Sequence, residues 1–162
     1  DLHAIGFIDR LPRLISAQAG GCCPINRAIA EDRPWEPMAE NTLADSIAVG
    51  VPRNADKALL AIRESNGLVV NLSDEEIMAA QKLLGRSCGV FGEPAGVTGT
   101  AGVAKLCRQG ALGSGDTVAS VVTGNGLKDV ANAIAACGEP ISIPSDMDRL
   151  LAAFAERGLR PA

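Results

Sequence analysis

Aromatic side chains are almost missing from this 162-residue sequence: Phe7, Trp35, Phe91 and Phe154 are the only four, and there is no tyrosine. Single-stranded nucleic acid is held largely by stacking bases on aromatic rings, and protein interfaces are often anchored by them. Both uses are poorly supplied here. Positive charge is short as well, with 15 Lys and Arg against 19 Asp and Glu, a net charge of -4. Phosphate backbones recruit clustered cations, so no nucleic-acid partner is expected. A single histidine, His3, stands at the start of the sequence and leaves histidine acid–base or triad chemistry without a candidate. No apolar run approaches the ~20 residues that span a bilayer, so no membrane partner is expected. The opening Asp1-Leu2-His3 has no Met and no basic region leading into an apolar one; it reads as a fragment or a processed product, not a signal peptide.

The five cysteines (Cys22, Cys23, Cys88, Cys107, Cys137) form no CxxC pair and have no second histidine beside them. That spacing excludes a closed zinc site. Hydrophobic residues make up 47% and charged residues 21%. A chain of this size folds as one domain and hides roughly two-thirds of its unfolded surface. It has no need of a disulfide framework, and the cysteines are read as reduced thiols of a cytoplasmic protein. No cation near Cys22-Cys23 lowers a thiol pKa, so packing is their expected role.

Strand-like and helix-like segments alternate. Arg13–Ala19 (RLISAQA) is β-prone and ends at Gly20-Gly21; Pro24 then opens a short helix. Residues 32–41 carry two prolines and read as a surface loop, and Ser46–Val51 as a short strand or extended piece. Asn54 caps a helix with Ala58, Leu59 and Ile62 on one face, ending at Gly67. Leu68–Leu72 is a strand. Ser73 and Glu76 form a capping box that starts a helix with Ile77, Ala80, Leu83 and Leu84 inward, ending near Gly85. Glu93-Pro94 opens another, stopped at Gly110. Asp116–Val122 (DTVASVV) is the strongest strand in the sequence, and Gly124-Asn125-Gly126 turns it into the helix LKDVANAIAAC. Ile141–Ile143 is a short extended piece, and Ser145, with Asp148, caps a last helix to Gly158. Short apolar strands alternating with helices indicate an α/β fold, a parallel sheet covered on both faces.

In such sheets ligands lie beyond the carboxyl ends of strands. Thr123-Gly124-Asn125-Gly126 occupies that place. Its glycines allow close backbone approach, and its hydroxyl can donate to or accept from a heterocyclic nitrogen; equally, it is a glycine-rich turn and nothing more. Glu93-Pro94-Ala95-Gly96 either satisfies a helix dipole or forms the wall of a site. Thr98 and Thr100 are read as capping or packing. Lys128 either forms a Schiff base or, beside Asp129 in a first turn, is exposed or paired. Asp45-Ser46 is read as loop and cap chemistry.

The string VVTGNGLKD, Val121–Asp129, resembles the C-terminal signature of threonine synthases, pyridoxal-phosphate enzymes of the tryptophan-synthase β fold. The order of TLADSIAVGVPRN, RESNG, SDEEI and GVFGEPAG is similar to that family's second half, and LPRLISAQAGGCCPINRA looks like its preceding strand and helix. EPAG and SDEEI also look like the related dehydratases. The resemblance implies the C-terminal part of the large, three-layer α/β domain of a fold-type II enzyme, with residues 1–162 a single partial domain and 144–162 its C-terminal helix. It implies the cofactor pyridoxal 5'-phosphate, with Thr123 at the pyridine nitrogen and Gly124, Glu93, Pro94 and Ala95 around the ring. A neutral hydroxyl at that nitrogen moderates the electron sink.

The resemblance also marks what is not here. The family's Schiff-base lysine belongs to a Lys-Asp-Arg-type motif in its first half. The lysines of this sequence are Lys57, Lys82, Lys105 and Lys128, and only Lys128 precedes Asp, within the C-terminal signature. The cofactor-phosphate loop is absent too. This chain alone is therefore expected to be inactive, with the missing N-terminal half as its partner. The intact enzyme would convert O-phosphohomoserine and water to threonine and phosphate. The alternatives are a related dehydratase or replacement synthase, or a non-catalytic α/β module binding a phosphate or nucleotide. Sheet edge uncovered by the missing half favours association of copies, so a homo-oligomer is expected.

Overall fold

The structure, a computed structural model, describes residues 1–138, 142–143 and 145–158. Two strands, β1 (Ile15–Ala19) and β2 (Leu68–Leu72), pair in parallel with Ile15 opposite Leu68 and Ala19 opposite Leu72. Between them the chain forms α1 (Pro24–Ala30), a 3₁₀ turn at Asp45–Ile47, and α2 (Ala55–Glu64). After β2 come α3 (Asp74–Cys88), α4 (Pro94–Arg108), a 3₁₀ turn at Gly126–Lys128, α5 (Val130–Cys137) and α6 (Met147–Glu156).

The two faces of the strand pair differ, because successive side chains point to opposite sides. Ile15, Ala17, Ala19, Leu68, Val70 and Leu72 belong to the main core, together with Ile77, Ala80, Val97, Ala101 and Leu106 of α3 and α4. Full burial of each large aliphatic side chain here stabilises the fold by about 1.5–3 kcal/mol. Helix α4 lies close on this face: a Cβ added at Gly102 would stand 2.9 Å from Ala17 Cβ and 3.0 Å from Val70 Cγ1. On the opposite face Asn26 of α1 is buried, and its side-chain amide donates to Ser16 O, Val70 O and Asn71 Oδ1 at 3.2, 3.0 and 2.8 Å. Gln18 Oε1 accepts from the Asn26 backbone N–H at 2.9 Å. One buried asparagine thus ties α1 to both strands. The arrangement is helix, parallel pair, helix, as expected, although the strands alternate apolar and polar residues where the sequence reading had them uniformly apolar.

Local chemistry explains the helix ends. Ser73 caps α3 by accepting from Glu76 N, and the Glu76 carboxylate accepts from Ser73 N, the expected capping box. The helix runs past Gly85 to Cys88 and stops at Gly89, whose φ of 70° is a left-handed conformation open to glycine. Leu83, expected to point inward, is 52% exposed at the rim of a groove between α3 and α4. Asn54 precedes α2 but its side chain makes no capping bond. Asp146, not Ser145, caps α6, accepting from Arg149 N at 2.9 Å. The helix forms as expected, and no residue of α6 is buried among the described residues. Ile141 lies outside the described residues.

Two further expectations are corrected. Ser46–Val51 is not a strand: a 3₁₀ turn occupies Asp45–Ile47 and loop follows. Asp116–Val122 is not a strand either. It lacks a ladder partner among the described residues, and Asp116–Val121 is exposed throughout. Strand propensity expresses itself only where a neighbouring edge supplies hydrogen bonds, and this segment lies along α4, with Ser120 and Thr123 against Gly99 and Gly96, rather than beside β1 or β2.

Candidate functional site

The segment that follows the failed strand is nevertheless fixed in place. Gly92 and Asn125 form an antiparallel bridge. Glu93 N donates to Gly124 O at 2.9 Å, and Gly126 N donates to Phe91 O at 2.8 Å. Asn125 turns the chain into its 3₁₀ turn by accepting from Leu127 N at 2.9 Å. These bonds clasp residues 124–126 to 91–93, the run that leads into α4.

Helix α4 then accepts the preceding residues along its glycines. A Cβ at Gly96 would meet Gly124 N at 2.9 Å, Gly124 O at 3.2 Å and Thr123 N at 3.3 Å; one at Gly99 would meet Ser120 Oγ at 2.7 Å. Gly124 is equally confined, since a Cβ there would collide with the Glu93 carboxylate. Bare backbone on both sides lets the loop lie directly on the first turns of the helix.

Thr123 and Glu93 therefore come together, with Gly124 between them. Thr123 is exposed at the tip of the extended segment, and Gly124 is half-buried. Glu93 is 6% exposed, a carboxylate enclosed at the cap position of α4. Pro94, the other side of that cap, is buried, and Ala95 packs against the main core, so both shape the helix start from beneath. Thr98 packs as expected, its hydroxyl donating to Pro94 O at 2.9 Å. Two surface cavities, about 350 Å³ around Trp35 and about 460 Å³ between α3 and α4, lie away from Thr123. The hydroxyl stands on an open face.

Lys128 is paired. Its ammonium lies 3.1 Å from Glu93 Oε2 and donates to Glu93 Oε1 and Ser46 Oγ, each at 3.4 Å. Ser46 donates in turn to Asp45 Oδ1 at 3.0 Å. The sequence alone reads Asp45-Ser46 as loop and cap chemistry. Nothing in the local pattern links it to a lysine 82 residues away.

The cysteines are free thiols: Cys22 and Cys23 are buried, while Cys88, Cys107 and Cys137 are exposed. Burial pushes both the Cys22 and Cys23 thiols above the usual range, the opposite of an activated pair. Among the described residues no group of three or more His, Cys, Asp or Glu could hold a metal ion, and no helix is long and apolar enough to cross a membrane.

Residues 3–124 match the family described as pyridoxal-phosphate dependent enzyme. The chain is 42% identical over 152 residues to a threonine synthase of Methanosarcina acetivorans, covering 93% of this chain and 38% of that protein. It is 42% identical, over the same shares, to a threonine synthase of Methanocaldococcus jannaschii. A threonine synthase of Mycobacterium tuberculosis is 37% identical over 146 residues, 90% of this chain and 39% of that one. The chain thus spans less than two-fifths of the length of these curated relatives. Among solved structures, maize serine racemase superposes with a TM-score of 0.62 at 18% identity, covering 96% of this chain and 43% of that one. That likeness shows the shared fold.

Proposed function

The chain belongs to the family of pyridoxal-phosphate dependent enzymes, and from that premise we propose that it supplies the pyridine-side wall of the cofactor site of a threonine-synthase-like enzyme. Bound pyridoxal phosphate supplies an electron sink for charge developed on an amino-acid substrate. The residues here fit one side of that group. Thr123 offers an exposed hydroxyl that can donate to or accept from a ring nitrogen. Gly124 and Gly96 keep the neighbouring backbone free of side-chain bulk. Glu93 closes the cluster from below, beside Pro94 and Ala95. A hydroxyl in place of a carboxylate leaves the ring nitrogen without a countercharge, which moderates the sink.

None of the chain's own lysines stands ready to hold the cofactor covalently at this face. Lys128, beside the loop, is engaged by Glu93 and Ser46. Covalent attachment and the contacts to a substrate phosphate are assigned to an N-terminal segment of the kind the relatives carry. The substrate is an amino acid bearing a phosphate leaving group, O-phosphohomoserine, and the products are threonine and phosphate. The 37–42% identity to proteins described as threonine synthases carries this choice over a dehydratase. We place the protein in the cytoplasm, where such amino-acid chemistry and five free thiols are at home, and expect copies to associate through exposed Val118 and Val121 of the unpaired segment.

The test is an assay of the chain with and without a lysine-bearing N-terminal segment of the family. Phosphate and threonine released from O-phosphohomoserine only by the combination supports the proposal. Formation of a keto acid from threonine or serine instead moves the assignment to a dehydratase.

A further inference from the structure

We infer that Lys128 is a positioning residue that, acting through Glu93, sets the aim of the Thr123 hydroxyl. The inference rests on the proposed role of Thr123 and deepens it. Glu93 brings a carboxylate into a place where its side chain is only 7% exposed, and an ionised group so enclosed requires a partner. The Lys128 ammonium, 63% exposed, reaches in from solvent and contacts both carboxylate oxygens. The carboxylate in turn fills the space above Gly124 that a Cβ would need, so its position dictates where the Gly124 backbone can lie. Gly124 O accepts from Glu93 N at 2.9 Å, which closes the clasp from the other side. Thr123 is the preceding residue, and its own backbone N lies against Gly96.

Lys128 also touches Ser46, so the same ammonium joins three stretches far apart in sequence: the turn at Asp45–Ile47, the cap of α4 and the turn at Gly126–Lys128. An ion that neutralises Glu93 and pins those three stretches holds Thr123 without touching a cofactor. A lysine serving only as a surface charge has none of these contacts.

The test is a two-residue cycle read by NMR on the full chain. Amide resonances of Thr123, Gly124 and Gly126 are followed in Lys128→Met, Glu93→Gln and the double variant, with the resonances of β1 and β2 as the internal standard for an intact fold. The expected result is that either single change moves the three loop resonances in the same direction. The double variant should move them no further than one change alone, because both delete one interaction. Lys128→Arg, which keeps the charge and reach, should restore the original positions. Shifts that simply add, or loop resonances indifferent to Lys128→Met, overturn the inference. Should Lys128→Met fail to fold, Lys128→Arg and Glu93→Gln carry the comparison: a loop unmoved in Glu93→Gln refutes it. This readout uses no cofactor, so its failure is separable from failure of the proposed role of Thr123, which is read by adding pyridoxal phosphate.

Discussion

Replacing Gly96 with alanine measures how tightly the Thr123 loop is seated on α4. Alanine in a helix is favoured over glycine by at most about 1 kcal/mol. Against that, the new Cβ would stand 2.9 Å from Gly124 N, 3.2 Å from Gly124 O and 3.3 Å from Thr123 N. These are backbone atoms, which cannot swing aside as a side-chain tip can. Forcing a methyl group into such a contact costs about 1–3 kcal/mol. The net effect is a loss of about 0–2 kcal/mol. Gly85 in α3 is the matched control, because its added Cβ meets nothing nearer than Phe91 Cδ2 at 3.6 Å, an ordinary contact. Gly85→Ala should therefore gain about 0.5–1 kcal/mol. The two variants should differ by about 1–3 kcal/mol, or roughly 2–12 °C in Tm for a chain of this size. Thermal melting reads the difference, and amide hydrogen exchange locates it. Protection should fall at Glu93 N and Gly126 N, the two clasp donors, in Gly96→Ala alone. If Gly96→Ala stabilises as much as Gly85→Ala and leaves those amides protected, the loop does not lie on the helix as described.

Three other outcomes follow from the packing and charges. Ser73→Ala removes the α3 cap bond to Glu76 N and should cost about 1 kcal/mol by chemical denaturation; a change within error would show the capping box idle. Glu76 is pushed up by burial, but Lys105, the Ser73 backbone N–H and Arg108 outweigh this and hold its carboxyl below the usual range. A carboxyl lowered in the folded state stabilises fully above its unfolded value, about 4.3, and the contribution fades as pH falls through the folded value. Lys105→Met should flatten the loss of stability from pH 5 downward, and an unaltered acid limb would contradict the pairing at 2.8 Å. With a thiol reagent near neutral pH, exposed Cys88, Cys107 and Cys137 should react rapidly and buried Cys22 and Cys23 slowly; equal rates at all five sites would refute the burial.

What could be read in advance was whatever local chemistry decides. Leu68–Leu72, the Ser73–Glu76 box and the Pro94 start of α4 depend on residues within a turn or two of each other, and the structure has them where the sequence placed them. Asp116–Val122 departs from its strand-like composition because a strand exists only beside another strand, and Val-rich composition says nothing about whether an edge is at hand. Leu83 and the apolar residues of α6 fit a helical period, but a period does not reveal whether anything packs on that face. Within the site, the TGNG loop and Glu93 could be found from glycine spacing and a carboxylate before proline. Their closeness, and the reach of Lys128 to Glu93 and Ser46, come from chain crossings over 35 and 82 residues that leave no periodic trace.

Titration of the chain with pyridoxal 5'-phosphate, followed by the amide resonances of wild type and Thr123→Val, tests most directly whether this face receives the cofactor ring. The substitution keeps the side-chain outline and strips the hydroxyl. The account predicts that added cofactor moves Thr123, Gly124 and Glu93 in the wild type, that this response collapses in Thr123→Val, and that borohydride leaves no adduct on Lys128. A response centred elsewhere, or one undiminished without the hydroxyl, would contradict it.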